Sequence, residues 1–123
     1  MDPRRLFGNK CEVMAAQFLE GKGYKILAHQ FKTRAGEIDL VAEKDKEIIF
    51  VEVKARKNIN FGYPEIAVNR NKLCKMVMVG QDYLEKNNLN DRSFRLDVIA
   101  IVWPAQGEVA IEHLEGVDTG SLE

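Results

Sequence analysis

The sequence predicts an α/β domain, a mixed β-sheet flanked by helices in the order αβββαββ. Three observations predict it. Apolar residues at helical spacing open the chain. Three short runs rich in Ile, Val and Phe follow, broken only by brief polar turns. A second helical stretch then separates these from two further strand-like runs. No repeat, low-complexity tract or linker divides the chain, and 123 residues suffice for one packed core but not for two. Residues 1–118 therefore read as one domain and 119–123 as a disordered tail.

The first helix runs from about Pro3, at a first helical position with Asp2 as its cap, to a stop at Gly21 and Gly23. Phe7, Cys11, Met14, Ala15 and Phe18 recur at helical spacing and form its buried stripe. Glu12 lies about 100° around the helix from Cys11, on the flank of that stripe, where it can reach over the edge of whatever the helix covers. YKILAHQF (24–31), EIDLVAE (37–43) and EIIFVEVKAR (47–56), with turns at TRAG (33–36) and KDK (44–46), form a three-stranded antiparallel meander. A loop through Asn58 and Gly62 leads to Pro64, which opens a long helix to about Asn88. FRLDVIAIVW (94–103) and EVAIEHL (108–114), joined by PAQG, complete the sheet, with strand five entering after a crossover.

The totals describe an ordinary globular protein, 46% hydrophobic and 30% charged. No apolar run approaches the ~20 residues of a membrane span, and MDPRRLFGNK lacks the apolar stretch of a signal peptide, so a cytoplasmic protein without membrane partners is expected. Cys11 and Cys74 fit reduced thiols there, and their spacing to His29 and His113 matches no zinc motif. The net charge of −1 hides a strong segregation. Residues 1–35 hold seven Lys/Arg against three acids, 36–53 two against six, 54–95 nine against four, and 96–123 none against six. An acidic centre between basic flanks is what a polyanion site with its own metal ions requires.

That acidic centre sits inside strands. Alternation puts Glu37, Asp39 and Val41 on one face of the second strand, and Phe50, Glu52, Lys54 and Arg56 on one face of the third. A hairpin centred between Asp45 and Lys46 pairs Asp39 with Glu52 and Glu37 with Lys54. Opposed Cβ atoms lie ~4.5–5.5 Å apart, so the two carboxylates repel unless a divalent cation joins them. The plainer alternative is a wet face with a Glu37–Lys54 salt bridge. It explains the Glu–Lys pair well and the Asp–Glu pair badly.

Asp39 followed by Glu52-Val53-Lys54 resembles the PD-(D/E)xK core of restriction-endonuclease-like proteins. More narrowly, Gly8, Glu12, Gly36-Glu37-Ile38-Asp39-Leu40, Phe50-Val51-Glu52-Val53-Lys54-Ala55-Arg56, Lys72 and Phe94-Arg95-Leu96-Asp97 resemble the YraN-like bacterial endonuclease family, itself distantly similar to archaeal Holliday junction resolvases. Cys11 and Gln30 depart from the residues usual there, Gly and Asn. The resemblance implies a restriction-endonuclease-like fold and a metal-dependent endonuclease acting on DNA. Once the core strands and helices are assigned, few residues remain for a base-reading element and no groove-binding motif is apparent, so recognition by structure rather than by sequence is expected. Mg²⁺ or Mn²⁺ would be held by Asp39, Glu52, the carbonyl of Val53 and, from the helix, Glu12. Lys54 would orient water or stabilise the developing oxyanion. Glu37 is expected to pair with Lys54 or a neighbouring base. Arg34, Arg56, Lys57, Arg70 and Lys72 are candidates for phosphate contacts. One site per chain cuts one strand, so symmetric cutting of two strands implies a homodimer. The competing class is a catalytically silent nuclease-like fold that binds nucleic acid or a protein partner.

Overall fold

The computed structural model describes residues 2–58 and 70–117. Its elements run α1 (Pro3–Gly21), β1 (Lys25–Thr33), β2 (Gly36–Lys44), β3 (Glu47–Arg56), α2 (Arg70–Lys86), β4 (Phe94–Val102) and β5 (Ala110–Leu114). This is the expected αβββαββ order, consistent with a restriction-endonuclease-like fold. Asp2 caps α1 by accepting the Arg4 N–H at 2.9 Å, with Pro3 just inside, where its missing N–H costs nothing. The expected opening of the second helix at Pro64 lies outside the described residues, as does the tail.

The five strands lie in sequence order, β1-β2-β3-β4-β5, in one sheet. β1, β2 and β3 form the antiparallel meander; β4 runs parallel to β3, and β5 antiparallel to β4. The strand that enters after the crossover is thus β4, not β5. A parallel neighbour requires a long connection, which α2 provides, whereas the short PAQG link permits only an antiparallel return.

Each helix covers one face. Cys11, Ala15, Ala16 and Leu19 of α1 are buried against Leu40, Ala42, Ile49, Val51, Ile99 and Ile101. On the opposite face Leu73, Met76, Val79 and Tyr83 of α2 pack on Ile38, Val41, Ile48, Phe50 and Leu96. α2 comes close enough to the sheet that a Cβ on Gly80 would lie 2.5 Å from the Phe50 ring. The β2–β3 turn is a two-residue hairpin with Asp45 at φ 51° and Lys46 at φ 70°, the doubly left-handed geometry that matches strand twist. It fixes the register from Lys44↔Glu47 to Leu40↔Val51.

Candidate active site

The β2–β3 ladder ends at Leu40↔Val51, one pair before Asp39 would meet Glu52. β2 continues beside β1 to Gly36, and β3 continues beside β4 to Arg56. The sheet therefore forks, and Asp39 and Glu52 stand where the prongs part. The hairpin centre is as the sequence predicts, but the two carboxylates are not a regular cross-strand pair. Asp39 Oδ2 accepts the Val53 N–H at 2.8 Å, so a side chain takes the place of a ladder carbonyl. A buried backbone N–H needs a partner, and this bond supplies one while fixing the Asp39 rotamer.

Strand alternation also fails at this point. Ile38 and Val41 both pack beneath α2 while Leu40 packs beneath α1, so Glu37, Asp39 and Val41 do not share a face. The break coincides with Gln30, whose φ is 50° and which, like Asp39, is skipped by the β1–β2 register between His29↔Leu40 and Phe31↔Ile38. On β3 the alternation holds. Val51, Val53 and Ala55 pack on the α1 side, which leaves Phe50, Glu52 and Lys54 for the other.

Glu52 is 3% exposed, and its Oε1 faces two ammonium groups, Lys72 Nζ at 3.6 Å and Lys54 Nζ at 3.8 Å. Its Oε2 is buried without a hydrogen-bond partner. Burial raises the Glu52 carboxyl, and the Asp39 charge raises it further against the pull of Lys72 and Lys54, to about 7. Burial likewise raises Asp39, opposed by the Val53 N–H. Glu12 is raised by burial and by the charges of Asp39 and Glu37, with Gln30 Nε2 donating to its Oε1 at 3.0 Å in opposition. Three mutually disfavoured carboxylates on one cleft form an arrangement that a cation relieves.

That cleft has a volume of about 540 Å³ and is lined by Glu12, Asp39, Glu52, Val53 and Lys54, with Arg56 and Lys57 at its margin. The acidic oxygens are hard donors suited to Mg²⁺ or Mn²⁺, and the orphaned Glu52 Oε2 is the atom a cation would satisfy, so the residues fit such an ion. Among the described residues, Glu12, Asp39 and Glu52 do not bring three ligand oxygens within 4.8 Å of one another; Glu12 lines the cleft from α1.

The expected phosphate contacts divide. Arg56 and Lys57 line the cleft, and Lys72 lies against Glu52 from α2 without lining it. Arg34 is exposed in the β1–β2 turn, at the tip of the opposite prong, and Arg70 is exposed at the start of described α2. Glu37 meets Lys32 at 3.9 Å rather than Lys54, because the fork separates it from β3 and leaves the neighbouring strand as its partner.

One cluster carries no role in the sequence reading. Asp97, fully buried, accepts from Arg95 Nε at 2.9 Å, the Gly116 N–H at 2.9 Å and His113 Nε2 at 2.7 Å. Burial works to raise Asp97, but these bonds outweigh it and hold the carboxyl below its ordinary value. Lys22 Nζ, which can only donate, lies 2.7 Å from His113 Nδ1, so Nε2 carries the ring proton toward Asp97. Asp97, His113 and Glu115 bring three potential ligand atoms within 4.8 Å, as a metal site would. The Arg95 guanidinium already sits between Asp97 and Glu115, the latter at 3.2 Å, and a cation would have to displace it. The cluster acts as an ion-pair network tying β4 to β5. The signal for it was present: charges at 95 and 97 alternate with apolar residues, as they do at 37 and 39.

The family described as "Uncharacterised protein family UPF0102" matches residues 11–101. A UPF0102 protein of Clostridioides difficile (strain 630) is 46% identical over 94 residues, 76% of this chain and 82% of that protein. One from Caldanaerobacter subterraneus subsp. tengcongensis is 43% identical over 98 residues, 80% of each chain. One from Geotalea daltonii is 36% identical over 111 residues, 90% of this chain and 87% of its own. The matched segment contains Glu12, Asp39, Glu52, Lys54 and Lys72. No helix among the described residues is long and apolar enough to cross a membrane.

Proposed function

This chain belongs to the family UPF0102, and from that premise we propose that it is a metal-dependent endonuclease of the YraN-like, PD-(D/E)xK kind, which hydrolyses phosphodiester bonds in DNA and selects structure rather than sequence. One observation carries the reading. The sheet parts at Asp39 and Glu52, and the buried Glu52 Oε2 is left without a donor beside a second carboxylate. An orphaned, charged oxygen of this kind is costly in a merely structural role.

Mg²⁺ or Mn²⁺, held by Asp39, Glu52 and the Val53 carbonyl, would supply a Lewis acid for the phosphate and lower the pKa of the attacking water. Asp39 is pinned by the Val53 N–H, so its free lone pairs keep a fixed aim. Lys54 Nζ, 3.8 Å from Glu52, is placed to orient the water or to neutralise charge growing on the phosphate oxygens. Lys72 approaches the same carboxylate from α2 and offers a second ammonium to the phosphate. Arg56 and Lys57 at the cleft margin, and Arg34 on the other prong, suit flanking phosphates, which position a strand without reading it.

Among the described residues no helix or ribbon projects as a groove reader, which supports selection by shape and charge. The test is cleavage of labelled branched, single-stranded and duplex DNA with Mg²⁺ or Mn²⁺ against EDTA. Metal-dependent cleavage with preference for a form is expected. Binding without cleavage of any substrate would leave the silent nucleic-acid-binding fold as the better reading. A single cleavage sequence on random duplex DNA would overturn the claim of structural selection.

A further inference from the structure

Gln30 lies in the middle of β1, where extended backbone is the rule, yet its φ is 50°. The left-handed region is uncommon for a residue other than Gly, Asn or Asp, and a residue held there needs a reason. Packing is not the reason, since Gln30 is exposed. Nor is a hairpin turn, since its neighbours stay in register as His29↔Leu40 and Phe31↔Ile38. What the conformation achieves is the placement of one side-chain amide. Gln30 Nε2 donates to Glu12 Oε1 at 3.0 Å and lies 3.5 Å from Asn9 Oδ1, both on α1. The β1–β2 register passes from His29↔Leu40 to Phe31↔Ile38, and the two residues it skips are Gln30 and Asp39, the residue at the fork.

We propose that Gln30 is a positioning residue, whose left-handed backbone directs its amide across the edge of the sheet to hold the Glu12 carboxylate in the cleft shared with Asp39 and Glu52. The amide engages one Glu12 oxygen and leaves the other for the metal's ligand shell. An unpositioned Glu12, repelled by Asp39 and Glu37, would swing toward solvent. This inference rests on the metal reading of the site, but not on cleavage.

The experiment measures Mn²⁺ binding by titration calorimetry without nucleic acid, and melting in EDTA. Gln30→Gly releases the backbone from an unfavourable conformation, and Gln30→Met keeps the chain length while removing the donor. Gln30→Gly is expected to melt no lower than wild type, while both variants bind Mn²⁺ at least about tenfold more weakly, the usual loss when a partner of a metal ligand is removed. Undiminished stability with a loss of affinity is not what a purely structural residue gives. In a Glu12→Gln background, Gln30→Met should weaken binding no further. Wild-type affinity in either single variant, an additional loss in the double variant, or a clear drop in melting temperature for Gln30→Gly overturns the proposal. Wild-type protein that binds no Mn²⁺ overturns the metal reading as well, which distinguishes the two failures.

Discussion

Asp39→Asn should stabilise the metal-free protein and abolish most of its response to metal. The substitution removes one of two charges at the fork but keeps an oxygen to accept the Val53 N–H, 2.8 Å from the present carboxylate. The magnitude follows from Glu52, whose carboxyl is lifted from 4.5 to about 7. At about 1.4 kcal/mol for each tenfold change in proton affinity, that lift represents roughly 3 kcal/mol. Burial is its largest cause and the Asp39 charge the next, so relief of the repulsion is worth about 1 kcal/mol, or roughly 3–6 °C in melting temperature for a domain of this size. Wild type at a Mn²⁺ concentration near 100 Kd should gain ~2.7 kcal/mol, roughly 10 °C. The assay is four melting curves, each protein with EDTA and with excess Mn²⁺. A variant that melts below wild type in EDTA and rises as far with Mn²⁺ would refute the idea that the two carboxylates form one site.

The remaining predictions concern the same fold. Because the folded-state pKa of Glu52 lies above its unfolded value, its contribution to metal-free stability is present below about pH 4.5 and lost as pH rises through 7; Glu52→Gln should flatten that part of a melting-versus-pH curve, and an unchanged slope would contradict the assignment. Asp97 acts with the opposite sign, since its lowered pKa gives stability above the ordinary carboxylate range that is lost as pH falls; Asp97→Ala should cost about 1–3 kcal/mol in a denaturant titration by leaving the buried His113 Nε2–H and the Gly116 N–H without their acceptor, while Arg95 keeps Glu47 and Glu115, whereas a cost under about 0.5 kcal/mol would count against the network. Gly80→Ala should lower stability by about 1–3 kcal/mol despite its better helix propensity, because Phe50 is fully buried between Tyr83 and Phe94 and cannot yield; a higher melting temperature would show that α2 can move.

Much of this architecture is legible in the sequence because it is local. Asp2 and Pro3 mark the start of α1, and the two polar turns set the meander and its register down to Leu40↔Val51. The fork is not local. It arises when the Asp39 side chain captures a backbone N–H of another strand, which alternation rules cannot anticipate. The same rules assume extended backbone throughout, so the left-handed Gln30 and the loss of alternation around Asp39 were invisible to them. Of the two partners expected for Glu37, Lys54 requires the ladder to continue; since it ends, the neighbouring base Lys32 is the one it meets. Lys72 was legible as a basic residue but not as a neighbour of Glu52, because the contact spans the crossover from β3 to α2. The Arg95–Asp97–His113 network could have been found by asking of β4 the question asked of β2 and β3, namely why charges sit inside an apolar strand.

The central claim, that Asp39, Glu52 and Lys54 form a hydrolytic centre rather than a charged surface, is tested most directly by measuring cleavage and binding on one substrate. Wild type, Asp39→Asn, Glu52→Gln and Lys54→Ala would be compared on a labelled branched DNA, with Mn²⁺ for cleavage and Ca²⁺ or EDTA for binding. The account predicts cleavage by wild type alone, with all four proteins binding the DNA within a few-fold of one another. Glu52→Gln protein that cleaves at the wild-type rate would contradict it.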